Sequence, residues 1–100
     1  VVYVPFIGTS KEFKSKPAQN ALNDLRGFGI VPDVVIVRTD QPAPAIIKAK
    51  IAMFGGVPDE AVRMMPNVES VFCIPELMSK SDLLNLLNFF ILTDFYFQII

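Results

Sequence analysis

Apolar residues run almost unbroken through residues 1–7 (VVYVPFI). A continuous run of β-branched and aromatic side chains predicts a strand buried on both faces, as in a parallel sheet. Pro5 strains that reading, because proline has no N–H to give to a ladder. Residues 8–16 (GTSKEFKSK) are polar and basic and read as a loop. Pro17 suits the first turn of a helix. Ala18, Ala21, Leu22, Leu25 and Phe28 then recur at helical spacing and form one apolar stripe. Gly27 and Gly29 supply a stop, with Gly29 the better left-handed cap. Residues 33–38 (DVVIVR) make a second strand of the buried type. This is a β-loop-α-β unit, for which a right-handed crossover is expected.

Residues 39–44 are a proline-rich connection, and residues 45–54 read as a second helix. Ile47, Ile51 and Phe54 share one face of it, Lys48 lies off that face, and Gly55-Gly56 ends it. Pro58, Asp59 and Glu60 open a short helical turn, with its acids where the helix dipole favours them. Residues 61–65 and 70–74 are expected to be short strands around a turn at Pro66-Asn67. The order β-α-β-α-β-β makes the class α/β, a mostly parallel sheet with flanking helices. Composition changes after Met78: residues 79–100 hold Lys80, Asp82 and Asp94 as their only charges, and four Phe. Leu83, Leu84, Leu86, Leu87 and Phe90 fit an apolar helix, and residues 94–100 a strand or a frayed end. Asn85, Asn88, Thr93, Asp94 and Gln98 break up the run from 83 to 100. A span needs about 20 mostly apolar residues, so no membrane attachment is expected.

Within 100 residues, 52% are apolar and 19% charged, which excludes disorder as a description of the whole chain. A net charge of −1 gives no bulk attraction to nucleic acid or anionic lipid. The chain has no His, which removes His-dependent triads and the usual zinc sites. Its single Cys73 rules out an internal disulfide and fits a reducing compartment. In an apolar strand that thiol is expected to be buried and inert. No signal-peptide pattern is present, and a first residue Val1 points to a processed start or, preferably, a fragment.

The most informative segment is residues 14–19 (KSKPAQ). A loop with two lysines runs straight into a helix N-terminus, where unpaired amides and the dipole favour an anion. Lys14 and Lys16 flank Ser15, and Gln19 lies in the first turn. The same residues also read as a solvated basic loop capped by proline. Lys50 sits beside the Ile47/Ile51/Phe54 stripe, either snorkelling over apolar surface or aimed into a cleft. Asp40 follows a strand end, where ligand crevices of open parallel sheets lie, or simply caps a turn. Phe54, Met64 and Met65 are expected in the core. No GxxxxGK[ST], GxGxxG or metal-ligand spacing occurs.

The ordered series VPF, KSKPAQN, LNDLRGFGIVPDVVIVRTD, IKAKIAMF, VPDEAV and NVESVFCIP resembles the CTP synthase family, in the later part of its amidoligase domain. The resemblance covers residues 1–78. It implies a partial P-loop NTPase-like, dethiobiotin-synthetase-like fold, with residues 79–100 an atypical apolar tail departing from the family pattern. It implies ATP-dependent amination of UTP to CTP in pyrimidine nucleotide biosynthesis. The cofactors would be ATP and Mg²⁺, and glutamine-derived ammonia would come from a separate glutaminase domain. A homotetramer in the cytoplasm is implied, with no nucleic acid or membrane partner.

By position, Lys14, Ser15, Lys16, Pro17, Ala18 and Gln19 fall on the family's KTKPTQ segment, which holds the UTP or CTP triphosphate. Lys50 falls on a nucleotide-contacting lysine, and Pro66, Asn67 and Val68 on the stretch lining the ATP adenine pocket. No catalytic or metal-ligating residue is implied within this chain. Ser15 keeps the hydroxyl of the family Thr, whereas Ala18 loses one. A hydrogen bond lost to a charged group is worth on the order of 1.5–3 kcal/mol. Asn67 replaces an acid, and Gly55 stands where many members have Cys. Because the P-loop and the glutaminase triad are not among these residues, the chain alone is expected to be inactive. The alternative is a truncated remnant that acts only as a subunit-interaction module.

Overall fold

The computed structural model describes residues 1–68, 70–80 and 85–88. They fall into two compact units, Val1–Asn67 and Val68–Ile100. In the first, three parallel strands pair in the order β1 (Val2–Val4), β4 (Val35–Thr39), β5 (Val62–Pro66). Val4 pairs with Thr39 and Thr39 with Pro66, so the three carboxyl ends finish level. Helix α1 (Lys16–Gly27) connects β1 to β4, and α2 (Ala45–Gly55) connects β4 to β5. The two helices pack on each other, α1 on β1 and α2 on β5. Both therefore cover one face of the sheet, as two crossovers of the same hand stepping in the same direction require.

That face holds the core: Val4, Val35, Val37 and Val62 from the strands against Ala18, Leu22, Ile47, Ile51 and Ala52 from the helices. Phe54 and Met64 pack against it, and Met65 is buried as well. The strands are not buried on both faces as the apolar runs suggested. Val35, Val37 and Thr39 are buried, Ile36 is half-buried and Arg38 exposed. Ile36 and Tyr3 lie on the face turned away from the helices, where Met65 is buried, and they hide the period-two alternation from a sequence reading.

Both helix ends follow their glycines. Gly29 (φ 81°) and Gly56 (φ 68°) adopt the left-handed conformation. Amides of Ile30 and Gly29 return to Leu25 and Arg26, and those of Val57 and Gly56 to Ala52 and Met53, the paired bonds of a Schellman ending. Phe28, expected on the apolar stripe, lies past the last turn and is 81% exposed. A single 3₁₀ turn, Asp59–Ala61, leads into β5.

Besides the strand faces and Phe28, two expectations about where elements begin and end are corrected in this unit. Residues 1–7 do not form one strand: β1 stops at Val4, and beyond Pro5 a separate β2 (Phe6–Ile7) begins. The polar segment that follows is not all loop, because β3 (Glu12–Phe13) pairs antiparallel with β2. A third correction falls in the second unit. Residues 70–74 are not a strand but a 3₁₀ turn (Val71–Cys73) running into α3 (Ile74–Lys80). Ser70 opens the turn, its hydroxyl accepting from the Phe72 amide and its carbonyl from that of Cys73. Pro75, which as proline would end a strand over 70–74, takes an early helical position that it tolerates. Cys73 is accordingly half-buried in a turn rather than buried in a strand. Residues 85–88 are helical; the rest of the helix expected around Leu83 and Phe90, and the strand expected over 94–100, lie outside the described residues. No helix among the described residues is long and apolar enough to cross a membrane.

Ile51 is fully buried at the centre of the core. Ile51→Ala should destabilise the chain by about 2–5 kcal/mol. Urea unfolding checks this through a lower midpoint at an unchanged slope.

Candidate functional site

In a parallel sheet with helical crossovers, each helix starts where the preceding strand ends. The starts of α1 and α2 therefore lie beyond the carboxyl ends of β1, β4 and β5, where open α/β sheets hold their ligands. The chain reaches α1 by a detour: β1 ends, Pro5 turns it outward, and β2 and β3 form a short hairpin. Phe6 and Phe13 close the hairpin with ring centroids 5.0 Å apart. The Lys14 amide then donates to the Pro5 carbonyl at 2.9 Å, which brings the chain back to the sheet.

Ser15 follows as the residue before α1, at 9% exposure. Its hydroxyl does not cap the helix; it accepts from the Gln19 Nε2 at 3.0 Å, while the Gln19 amide donates to the Ser15 carbonyl at 3.0 Å. The amides of Lys16 and Ala18 have no protein acceptor among the described residues, and Pro17 has none to offer. The Lys16 side chain is exposed, with no ion pair or hydrogen bond among the described residues. Lys14 differs: its ammonium pairs with the Glu12 carboxylate at 2.5 Å. That hydrogen bond, and then the Lys14 charge, hold the Glu12 carboxyl below the ordinary glutamate range. Ala18 is 2% exposed and its side chain lies within the core.

Thus residues 14–19 converge as one cationic helix start, with Lys16 open and Lys14 shared. Lys50 lies on α2, the helix packed against α1, and is exposed beside the buried Ile47, Ile51 and Ala52. Pro66 ends β5, and the Asn67 amide donates to the Thr39 carbonyl at 2.9 Å, extending the β4–β5 ladder to the same edge. Val68 opens the second unit. An apolar groove of about 240 Å³, lined by Val1, Leu22, Leu25, Pro32 and Val34 among others, lies at the opposite, amino-terminal end of the strands. All of its lining side chains are apolar.

Asp40 does more than cap a turn. One carboxylate oxygen accepts from the Tyr3 hydroxyl at 2.5 Å, and the other from the Phe6 amide at 2.8 Å. The Tyr3 bond first, and the Phe6 bond second, push the Asp40 carboxyl below the ordinary aspartate range. The same bond raises the Tyr3 hydroxyl. Tyr3 and Asp40 are 37 positions apart. A strand-end Asp beside a polar turn is the only sequence signal for the pair. Among the described residues no three His, Cys, Asp or Glu side chains gather as a metal-holding group.

The chain is thus an α/β unit of the class that binds ligands past the carboxyl ends of parallel strands, with a cationic helix start at that edge. A family model described as CTP synthase N-terminus matches residues 1–91. The match runs past the compositional change at residue 79, so the first part of the apolar tail aligns within the family. CTP synthase of Thermomicrobium roseum is 39% identical over 83 residues, covering 83% of this chain and 15% of that protein. That of Prochlorococcus marinus strain MIT 9313 is 41% identical over 95 residues, 94% of this chain and 17% of that protein. The Thermotoga maritima enzyme is 42% identical over 83 residues, 83% and 16% respectively. This chain belongs to the CTP synthase N-terminal family, and it spans about a sixth of the length of these relatives.

The pH dependence of stability follows from the Tyr3–Asp40 bond. A carboxyl lowered on folding stabilises above its unfolded value, about 4, and loses that contribution as pH falls through the folded value. A raised tyrosine contributes below its unfolded value, about 10, and loses it as pH rises through the folded one. The stability gap between the wild type and Asp40→Ala should therefore be widest between these limits and narrow on both sides, measured by urea unfolding across pH.

Proposed function

We propose that this chain forms the triphosphate-holding corner of a CTP synthase, the part that seats UTP, or CTP as inhibitor, by its phosphates. The supporting observation is the open Lys16 ammonium on a helix start whose neighbouring amides are unpaired, in a chain of this family. In the proposed reaction the UTP C4 oxygen attacks the ATP γ-phosphorus, and ADP leaves. Ammonia, released from glutamine elsewhere in the enzyme, then adds at C4, and phosphate departs to give CTP. The residues of this corner move no proton in those steps. Lys16 neutralises phosphate charge, and the amides of Lys16 and Ala18 donate to phosphate oxygens. Gln19, already fixed by Ser15, orients the first helical turn. Lys14 joins once phosphate competes for it against Glu12, and Lys50 approaches from α2.

On the same reading Pro66, Asn67 and Val68 line the adenine of ATP. Mg²⁺ would be held by acids supplied from outside the described residues, which form no metal-holding group of their own. The working unit is proposed to be a cytoplasmic homotetramer. The chain alone is proposed to bind nucleotide without completing the reaction.

Calorimetric titration of the chain with UTP tests the assignment. Lys16→Ala should weaken binding by about 10- to 100-fold, the worth of one charged hydrogen bond. Undiminished affinity contradicts the site. Glu12→Gln should strengthen binding by about two- to fivefold, because the exposed ion pair that competes for Lys14 is worth at most about 1 kcal/mol.

A further inference from the structure

The detour between β1 and α1 lies outside the three-stranded sheet, where Phe13 packs against the core and the polar ties to the sheet are few in kind. Pro5 has no N–H, and among the described residues β2 pairs only with β3. The Phe6 amide, the first donor after the turn, goes to the Asp40 carboxylate. From there the path is short. Phe6 packs on Phe13, the adjoining Lys14 amide bonds to Pro5, and Ser15 begins the approach to α1. Asp40 stands immediately after Thr39 at the end of β4, the central strand, so its own position is set by the sheet.

We propose that Asp40 is the positioning residue of the nucleotide corner: it fastens the β2–β3 hairpin to the central strand and thereby sets where Lys14 and the start of α1 meet a triphosphate. Tyr3 completes the fastening by occupying the second carboxylate oxygen. This inference rests on reading residues 14–19 as the nucleotide site. It also carries a sign that separates it from simple electrostatics. Asp40 is an anion at the edge that would receive a polyanion, so acting through charge alone it would oppose binding, and its removal would help. Acting through position, its removal harms. The lowered Asp40 carboxyl keeps the anchor ionised, an acceptor only, at neutral pH.

The test is calorimetric titration of the chain with UTP, paired with amide hydrogen exchange at Phe6 and Lys14. Asp40→Ala should weaken UTP binding about tenfold and speed exchange at both amides. Asp40→Asn should stay within about twofold of the wild type. Its amide oxygen still accepts from Phe6, and its NH₂ can donate to the Tyr3 hydroxyl. Tyr3→Phe removes one exposed hydroxyl without disturbing the core, and should fall between the two at a two- to fivefold loss. That variant keeps the test decisive if Asp40→Ala does not fold. Unchanged or tighter binding in Asp40→Ala or Tyr3→Phe, with exchange at Phe6 accelerated, overturns the proposal. So does Asp40→Asn binding as weakly as Asp40→Ala. In either case, loss of affinity in Lys16→Ala leaves the nucleotide reading standing. A wild-type chain that does not bind UTP overturns both.

Discussion

The parallel pairing of β4 with β1 on one side and β5 on the other is the constraint from which the rest of the structure follows. Parallel strands need crossovers, and the crossovers here are helices that must bury one apolar stripe each. Stepping twice in the same direction puts both helices on one face, so a single core of valines, Ile47 and Ile51 serves them both. The same pairing fixes a polarity. Each helix begins beyond the carboxyl ends of the strands, so unpaired amides and the positive ends of the dipoles gather at one edge. The chemistry of the edge is thus decided by topology before any particular side chain is considered.

What the side chains add is placement. A β-loop-α connection of ordinary length would leave the lysines of residues 14–19 on a tether. Here a hairpin shortens the tether and Asp40 fastens it to the central strand. The buried methyl of Ala18 seats the helix start against the core. The segment shares its burden unequally. Lys16 faces solvent, Lys14 is balanced by Glu12, and Gln19 is spent on Ser15. A polyanion arriving there would meet one cation with no partner among the described residues, one that it must compete for, and the unpaired amides of Lys16 and Ala18.

The elements with a single strong local signal could be read directly from the sequence. Pro17 at the first turn, Gly29 and Gly56 at the helix ends, and the apolar cores of β4 and α2 each express a conformational preference that no long-range contact overrides. Residues 70–74 misled because valine, phenylalanine and isoleucine favour strands by type, whereas Ser70 and Pro75 together favour a helical start, and the second pair won. Glu12 and Phe13 were hidden as a strand because two residues are too few to show alternation. Position 18 looked like a ligand contact by its place in a motif, yet it lies on the inward face of α1. The Tyr3–Asp40 bond joins residues far apart in the chain, and no local pattern announces it. The cationic helix start could be read in the sequence; the hydrogen bonds of Asp40 beside it could not.

The central claim, that residues 14–19 are a preformed seat for a nucleotide triphosphate, is tested most directly by following backbone amide resonances of the chain during titration with UTP. The amides of Ser15, Lys16, Ala18 and Gln19 should move most and saturate together. The amides of Val34 and Val35, at the opposite end of the strands, should stay still. Shifts centred away from the start of α1, or none at saturating nucleotide, would contradict it.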